Sequence, residues 1–282
     1  MYQAGLVLEG GGMKGAYTTG VLDFFLEKGI EFTSVYGVSA GAIHMCSYLS
    51  KQKGRSIDIS LKHGTDPRYC SIWSLLFTGD LFNVKTCYDL DPNKWHPFDH
   101  ETYEKYAGKA YAVVTNIETG KAEYLRVKEC RKGLRKVRAS ASLPLVSRTV
   151  QIDGKLYLDG GISDAIPIEK SVMDGNAKNV VILTKEVGYV RKPSSGLGLV
   201  KARYRNYPKV AELMKNRHLT YQKTMEYLQR LEESGKAFVI RPAKPSDVGR
   251  VEKDPKKLKA LYEQGYQDGM ACYEELIHFL EA

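Results

Sequence analysis

The 282-residue chain contains no long apolar run. Its hydrophobic stretches all fall short of the roughly 20 consecutive apolar residues that span a bilayer, so we expect no transmembrane helix. The first residues pass directly into the apolar run 5–8 without a basic segment or a small-residue cleavage site, which argues against a secretory signal. A cytoplasmic location is therefore the expectation.

Cysteine is also scarce. The chain has five cysteines, an odd number, and no C-x-x-C pair. This spacing fits neither a disulfide framework nor a zinc site, and no set of histidine, cysteine and carboxylate side chains has recognisable metal-ligand spacing. We expect reduced thiols, no metal and no cofactor.

Positive charge, in contrast, is in excess. The formal net charge is +9, and basic residues are dense over 121–138 and again after Arg191, with acidic residues among them. Charge alone does not decide between a nucleic acid, an anionic lipid surface and a phosphorylated substrate as the partner. Ordinary solvated helix faces also carry such clusters, so the charge is a weak guide to function.

Strands and helices alternate in the first fifty residues. The apolar pattern predicts strands over 4–9 and 33–38 and helices over 16–26 and 40–49. Units of this kind build a parallel sheet with helices on its faces. Further strands are predicted at 110–115, 123–127, 155–158 and 180–183, a helix at 131–141, and irregular structure over 54–108 with short helices near 72–77 and 102–106.

A basic, turn-rich junction that begins at Arg191 divides the chain into two predicted parts. We predict one α/β domain over 1–190 and a mostly helical extension over 191–282. Within the extension, helices are predicted at 218–231 and 257–280, and an added strand at 238–240.

The most specific motif is G-x-S-x-G, formed by Gly37-Val38-Ser39-Ala40-Gly41 between a predicted strand and a predicted helix. A serine on such a sharp turn projects its hydroxyl from the edge of the sheet. The two glycines lack the Cβ atoms that would clash where strand and helix approach. The pattern predicts that Ser39 is a nucleophile.

A glycine-rich turn, Gly10-Gly11-Gly12-Met13-Lys14-Gly15, follows the first strand. It matches the dinucleotide fingerprint G-x-G-x-x-G, but the second strand ends in Ser39 and not in the acid that would bind a ribose. A Walker loop is also excluded, because Ala16 stands where serine or threonine would bind magnesium. An oxyanion hole built from exposed amides is the favoured interpretation, and a purely structural turn is the alternative.

A nucleophilic serine needs a base. None of the six histidines lies in a glycine-flanked loop after a strand, so each is expected to be structural or on the surface. Asp159, in Leu158-Asp159-Gly160-Gly161, ends a predicted strand and is the candidate base, provided that its surroundings are partly desolvated. A simple hairpin turn remains an alternative reading of Asp-Gly-Gly.

Four blocks together resemble the patatin-like phospholipase family, bacterial branch: the glycine block 10–15, the serine motif 37–41, Ala141-Ser142-Leu143-Pro144, and Asp159-Gly160-Gly161. The resemblance covers residues 5 to about 185, and the remainder resembles only weakly the helical extension of some bacterial members. It implies a three-layer α/β/α fold with a mainly parallel central sheet and a mostly helical C-terminal extension.

The resemblance also implies a function. It implies a dyad of Ser39 and Asp159 without histidine, which hydrolyses lipid acyl esters through an acyl-enzyme. The implied oxyanion hole comprises Gly10, Gly11, Gly12, Lys14 and Ala40, and Gly15, Gly37, Gly41, Ser142, Pro144, Gly160 and Gly161 support the site. Lys14 stands where many members have arginine, so the planar fork that binds anions in a bidentate manner is lost.

The expected partners follow from this function. They are a lipid ester substrate and the surface of an anionic membrane, with no nucleic acid, no metal and no cofactor. Two rival functions stay open: a lipid-binding or regulatory protein without turnover, and a Ser-His-Asp esterase in which His218 is the base.

Overall fold

The computed structural model describes all 282 residues. Eight strands form one sheet: β1 (Tyr2–Leu8), β2 (Phe32–Val38), β3 (Lys109–Asn116), β4 (Ala122–Arg126), β5 (Val150–Ile152), β6 (Lys155–Asp159), β7 (Asn179–Ile182) and β8 (Ala237–Ile240). Strands β3, β2, β1, β7 and β8 are neighbours in that order and run parallel. Strands β4, β5 and β6 are antiparallel additions at one side, so the sheet is mainly parallel, as predicted.

Eleven α-helices accompany the sheet: α1 (Ala16–Glu27), α2 (Ala40–Leu49), α3 (Arg55–His63), α4 (Ile72–Thr78), α5 (His100–Glu104), α6 (Cys130–Ser140), α7 (Ile168–Met173), α8 (Leu197–Arg203), α9 (Pro208–Glu233), α10 (Pro255–Ala271) and α11 (Tyr273–Glu281). None of them combines the length with the apolar composition that a bilayer span requires. Short 3-10 turns cover Gly12–Gly15 and Gly160–Ile162, and a π-helix covers Thr86–Trp95.

Successive side chains of strand β1 pack into two different hydrophobic cores. Leu6 and Leu8 belong to a large cluster with side chains of α1, α2, α10 and α11, whereas Val7 belongs to a second cluster with α7 and α9. Successive strand residues point to opposite faces, so helices cover both faces of the sheet. The fold is the predicted three-layer α/β/α arrangement.

Predictions from local pattern were confirmed best in the first fifty residues, where both strands and both helices appear within one or two residues of the predicted bounds. Strand β5 and helices α3, α7 and α8 were not predicted, and neither was the π-helix. The single helix predicted over 257–280 is interrupted at Cys272, where α10 ends and α11 begins. Helix α9 begins at Pro208, ten residues before the predicted start at 218.

The C-terminal part is integrated into the same molecule. Strand β8 pairs with β7 in register from Asn179–Ala237 to Ile182–Ile240, and therefore extends the central sheet. Helix α10 packs closely on α1, because Gly265 and Gly20 let the two backbones approach: a Cβ at Gly265 would lie 2.1 Å from the Tyr17 carbonyl oxygen. The proposed boundary at residue 190 remains a prediction, and residues on both of its sides share one sheet.

Candidate active site

Ser39 occupies a strained turn between β2 and α2. Its φ of 54° is unusual for a residue with a side chain, as a nucleophile elbow requires. A Cβ at Gly37 would lie 2.6 Å from the Ala42 Cα, and one at Gly41 would lie 2.5 Å from the Leu8 carbonyl oxygen. Both glycines are therefore required by the close approach of strand and helix.

Ser39 and Asp159 reach the same point of the sheet through strand β3. Val38, the last residue of β2, pairs with Val113, and Asp159, the last residue of β6, pairs with the next residue, Val114. Strand β6 thus continues along β3 from the point at which β2 stops. The two side chains that the sequence selected are brought together here, although 120 residues separate them in the chain.

Asp159 is almost completely buried, with 1% of its surface exposed. The Gly161 amide donates a hydrogen bond of 2.7 Å to Oδ1, whereas the buried Oδ2 has no partner. Burial raises the pKa of this carboxyl above its ordinary value, and the Ser39 hydroxyl, the Arg217 cation and the Gly161 amide oppose that shift. Ser39 thus lies near Asp159, but no hydrogen bond of ordinary geometry joins the two side chains in this structure.

The glycine block lies directly against the serine. A Cβ at Gly10 would lie 3.0 Å from both the Ser39 Cβ and the Val38 carbonyl oxygen. The amides of Gly10 and Gly11 donate no hydrogen bond within the protein. Gly12 has a φ of +60°, and a Cβ there would lie 2.5 Å from the Arg250 carbonyl oxygen. Unpaired amides therefore lie beside the serine, as an oxyanion hole requires.

The remaining predicted residues surround this pair. Ala40 begins helix α2, and a Cβ at Gly15 would lie 2.5 Å from the His44 Nε2. The Lys14 ammonium donates a hydrogen bond of 3.4 Å to the Ser246 hydroxyl. Gly160 is also required by packing, since a Cβ there would lie 2.2 Å from the Val113 carbonyl oxygen.

The segment that contains Ser142 and Pro144 lies directly against Asp159. The Ser142 carbonyl oxygen accepts a 2.8 Å hydrogen bond from the Asp159 amide, and the Ser142 hydroxyl donates to the Arg138 carbonyl oxygen. Pro144 is buried. The neighbouring Ser140 was not predicted: its hydroxyl accepts a hydrogen bond of 2.9 Å from the Ser39 amide and donates to the Val113 carbonyl oxygen. Ser140 therefore fixes the turn on which Ser39 lies.

No histidine hydrogen bonds to Ser39 or Asp159. His44 is the histidine packed against the glycine block, and burial lowers its pKa to about 4. His218 lies on α9, and its Nδ1 is buried without a partner. Neither contacts the serine as the base of a Ser-His-Asp triad would.

One group of side chains has the geometry of a metal site. The ligand atoms of His63, Asp91 and His96 lie within 4.8 Å of one another. His96 Nδ1 is 2.8 Å from one Asp91 carboxylate oxygen, and the Arg55 guanidinium is 3.3 Å from the other. The Arg55 cation opposes the binding of a second cation at the same carboxylate. Sequence spacing did not reveal this group, because the fold brings its residues together.

Sequence reasoning also missed a set of charged and polar residues around the site. The Arg217 Nε on α9 donates a hydrogen bond of 2.5 Å to the Gly161 carbonyl oxygen. The buried Glu9 accepts hydrogen bonds from the Thr184 amide and hydroxyl and from the Tyr221 hydroxyl. No local motif marks these residues, since they come from distant parts of the chain.

A model of the patatin-like phospholipase family matches residues 6–171. The chain belongs to this family. The matched span contains every site residue that the sequence predicted. A second model, described as a domain of unknown function (DUF6363), matches residues 207–281, which include Arg217 and Arg250.

Individual relatives of this patatin-family chain are distant. It is 29% identical over 183 residues to the Escherichia coli protein named "Uncharacterized protein YjjU", with 64% of this chain and 51% of that protein covered. It is 27% identical over 293 residues to a "Lysophospholipase nte1" of Aspergillus niger, with 96% of this chain but only 18% of that protein covered. This chain thus spans about half the length of the first relative and less than a fifth of the second.

Among solved structures, VipD from Legionella pneumophila is a distant match. The TM-score is 0.47 at 13% sequence identity, and the alignment covers 100% of this chain and 67% of that one.

Proposed function

We propose that this chain is a serine hydrolase that cleaves the acyl esters of lipids, phospholipids or lysophospholipids, with Ser39 as nucleophile and Asp159 as general base. The family is described as a phospholipase family, and curated relatives are named lysophospholipases. The observation that carries the proposal is the register along β3, which puts the ends of β2 and β6 at adjacent residues.

The proposed reaction begins when the Ser39 hydroxyl attacks the ester carbonyl and transfers its proton to Asp159. The unpartnered Oδ2 is the oxygen free to accept it. Collapse of the tetrahedral intermediate breaks the ester bond, and the proton on Asp159 passes to the departing alcohol. Water, deprotonated by the same carboxylate, then releases the fatty acid from the acyl-serine. Because burial raises the pKa of Asp159, this carboxylate is a stronger base than an exposed aspartate.

The glycine block would hold the negative charge that develops on the carbonyl oxygen. The amides of Gly10 and Gly11 are unpaired, and with those of Gly12 and Ala40 they form the proposed oxyanion hole. Each donor of this kind contributes about 3 to 4 kcal/mol to the transition state. Lys14 would act through its charge, since its ammonium lies against Ser246.

We also propose that the enzyme meets its substrate at an anionic membrane. Helix α4 turns its polar side chains towards the protein and its apolar side chains towards solvent. The Ser74 and Thr78 hydroxyls donate hydrogen bonds to the Asp80 carbonyl oxygen, whereas Trp73 and Phe77 are 63% and 79% exposed. Ile72 and Leu76 are also exposed on this helix. Aromatic side chains with this exposure favour the interface of a bilayer.

The position of α4 supports membrane contact near the site. The amide of Leu81, which follows α4, donates to the Val146 carbonyl oxygen, so α4 adjoins the segment 142–146 that contacts Asp159 through Ser142. Arg138, at the end of the basic helix α6, lies 3.8 Å from Asp80. Helix α6, on which Arg131, Lys132 and Arg135 are exposed, is thus linked to the segment that follows α4, and exposed basic residues favour an anionic lipid surface.

Labelling with a fluorophosphonate tests the proposed nucleophile. We expect wild-type protein to be labelled and to hydrolyse a lysophospholipid, and folded Ser39→Ala to do neither. Asp159→Asn should lose nearly as much turnover, whereas each single His→Ala variant should lose no more than about tenfold. Turnover retained by Ser39→Ala would refute the assignment.

The same experiment separates the rival functions. Inactivity of His218→Ala, comparable to that of Ser39→Ala, would move the base to a histidine. Stable lipid binding by wild-type protein that is neither labelled nor active would instead indicate a lipid-binding protein.

A further inference from the structure

Five basic side chains from separate positions in the chain lie within range of one another's charge. They are Lys14 in the 3-10 turn, Lys185 after β7, Arg191 before α8, Arg217 on α9 and Arg250 before α10. None of the five forms a salt bridge, although fifteen salt bridges occur elsewhere in the molecule. We refer to these five residues as the basic cluster.

Burial and the positive charges of the basic cluster lower the pKa values of two of its members, Lys185 and Arg217. Burial lowers the pKa of Lys185 to about 8; Glu9 opposes this shift, and the charges of Lys14, Arg191 and Arg250 add to it. The pKa of Arg217 is likewise lowered to about 10 by burial and by Arg191. The cations are therefore close enough to destabilise one another.

The acids within reach do not neutralise this charge. Glu9 is fully buried, and its two carboxylate oxygens accept hydrogen bonds from Tyr221 and Thr184. Asp159 is a second acid, near Arg217, and one of its oxygens accepts a hydrogen bond from the Gly161 amide. Neither of these two carboxylates forms an ion pair with a member of the basic cluster.

Arg191 shows most clearly that a partner is missing. Its guanidinium lies 4.3 Å above the ring of Tyr221, and its Nε and Nη1 are buried without any hydrogen-bond partner. Buried donors of a charged group are costly when they are left unpaired, and structures rarely tolerate them without a functional reason. An anion that accepts from Arg191 would remove this cost.

We propose that the basic cluster binds the phosphate of a lipid substrate while Ser39 attacks the acyl ester of the same molecule. This inference rests on the proposed hydrolase function and adds to it the residues that bind the phosphate of the substrate. Arginine forks and clustered cations are the groups that proteins use to bind phosphate.

The basic cluster adjoins both the glycine block and Asp159, so a phosphate bound there could belong to the same lipid molecule whose ester Ser39 attacks. A Cβ at Gly11 would lie 2.6 Å from the Thr184 hydroxyl, so the residue before Lys185 touches the glycine block. A Cβ at Gly161 would lie 3.1 Å from both the Asp159 Oδ1 and the Arg217 Nη2. The basic cluster thus borders both halves of the proposed active site.

Substrate preference provides the test. The hydrolysis of lysophosphatidic acid would be compared with that of a monoacylglycerol with the same acyl chain, as the ratio of the two kcat/KM values. Arg191→Gln should lower this ratio by about tenfold or more, because a charge-assisted contact with phosphate is lost. Arg205→Gln is the matched control: the same substitution at an exposed position should change the ratio by less than about twofold.

Binding of inorganic phosphate to Ser39→Ala, measured by calorimetry, provides a second readout that needs no turnover. We expect phosphate to bind this variant and to bind the double variant Ser39→Ala/Arg191→Gln much more weakly. An unchanged substrate ratio in folded Arg191→Gln would overturn the proposal, even if free phosphate binds. Absence of hydrolysis of either ester by wild-type protein would instead refute the hydrolase function, and phosphate binding would still report on the basic cluster.

Discussion

The behaviour of Asp159 follows from two opposing effects on one carboxyl group. Burial favours its protonated form, and the nearby Arg217 cation favours its ionised form. As the proposed base, Asp159 must be ionised to accept the Ser39 proton. Activity should therefore fall as the pH is lowered through the pKa of Asp159, and that pKa lies above the ordinary value for aspartate.

Replacement of Arg217 tests this balance. Arg217→Gln removes a charge that lowers the pKa of Asp159, so the acidic limb of the pH profile of kcat/KM should move to higher pH. Arg217→Lys retains the positive charge, so the acidic limb of its pH profile should move less. Equal profiles for wild type and both variants would show that Asp159 is not the group that titrates.

At the scale of elements, the contact between α1 and α10 depends on glycine. A Cβ at Gly20 would lie 2.0 Å from the Tyr262 carbonyl oxygen, and Gly265 makes the reciprocal approach to Tyr17. The Tyr17 hydroxyl also donates to an Asp268 carboxylate oxygen at 2.8 Å. Helix α10 is thereby held against the helix that follows the glycine block.

We expect Gly265→Ala to destabilise the protein by roughly 1 to 3 kcal/mol, because the new methyl group would force the two backbones apart. Gly198→Ala on α8 is the control, since no atom lies within 4 Å of its added Cβ. That change should stabilise the protein by up to about 1 kcal/mol through helix propensity. Urea denaturation of both variants gives the comparison, and equal stabilities would show that α1 and α10 can separate without cost.

At the scale of the whole molecule, the proposed membrane contact depends on a net charge of +9 and on the exposed apolar side chains of helix α4. Charge attracts the protein with about 1 kcal/mol for each basic residue near an anionic lipid surface, and salt screens this attraction over a Debye length of about 10 Å at 0.1 M. The exposed side chains of α4 would add a contribution that salt does not screen.

Sedimentation with vesicles measures both contributions. We expect binding to anionic vesicles at low salt to weaken steeply towards about 0.5 M salt, and binding to neutral vesicles to be slight. Phe77→Ser should weaken binding to anionic vesicles by about tenfold or more, because burial of such a side chain is worth about 1.5 to 3 kcal/mol. Met173→Ser, at another exposed apolar position, should have no effect. Equal losses for both variants, or equal binding to neutral and anionic vesicles, would contradict this prediction.

The sequence by itself determined the features whose physical cause is local. The first two strand–helix units, the glycines of the serine turn and the identity of Ser39 and Asp159 as candidates all follow from periodicity, steric freedom and spacing within a few residues. The first fifty residues carry these patterns most strongly, which is why their predicted bounds agree with the structure.

Only the tertiary structure decided how distant segments meet. Strand β6 runs antiparallel to β3, so Asp159 reaches the serine from a direction that no local pattern specifies. Likewise, the Ser140 hydroxyl holds the Ser39 amide, and Arg217, on a helix of the C-terminal part, donates to the Gly161 carbonyl oxygen. Strand pairing and burial are set by the packing of the whole chain, and propensity within a short window does not contain that information.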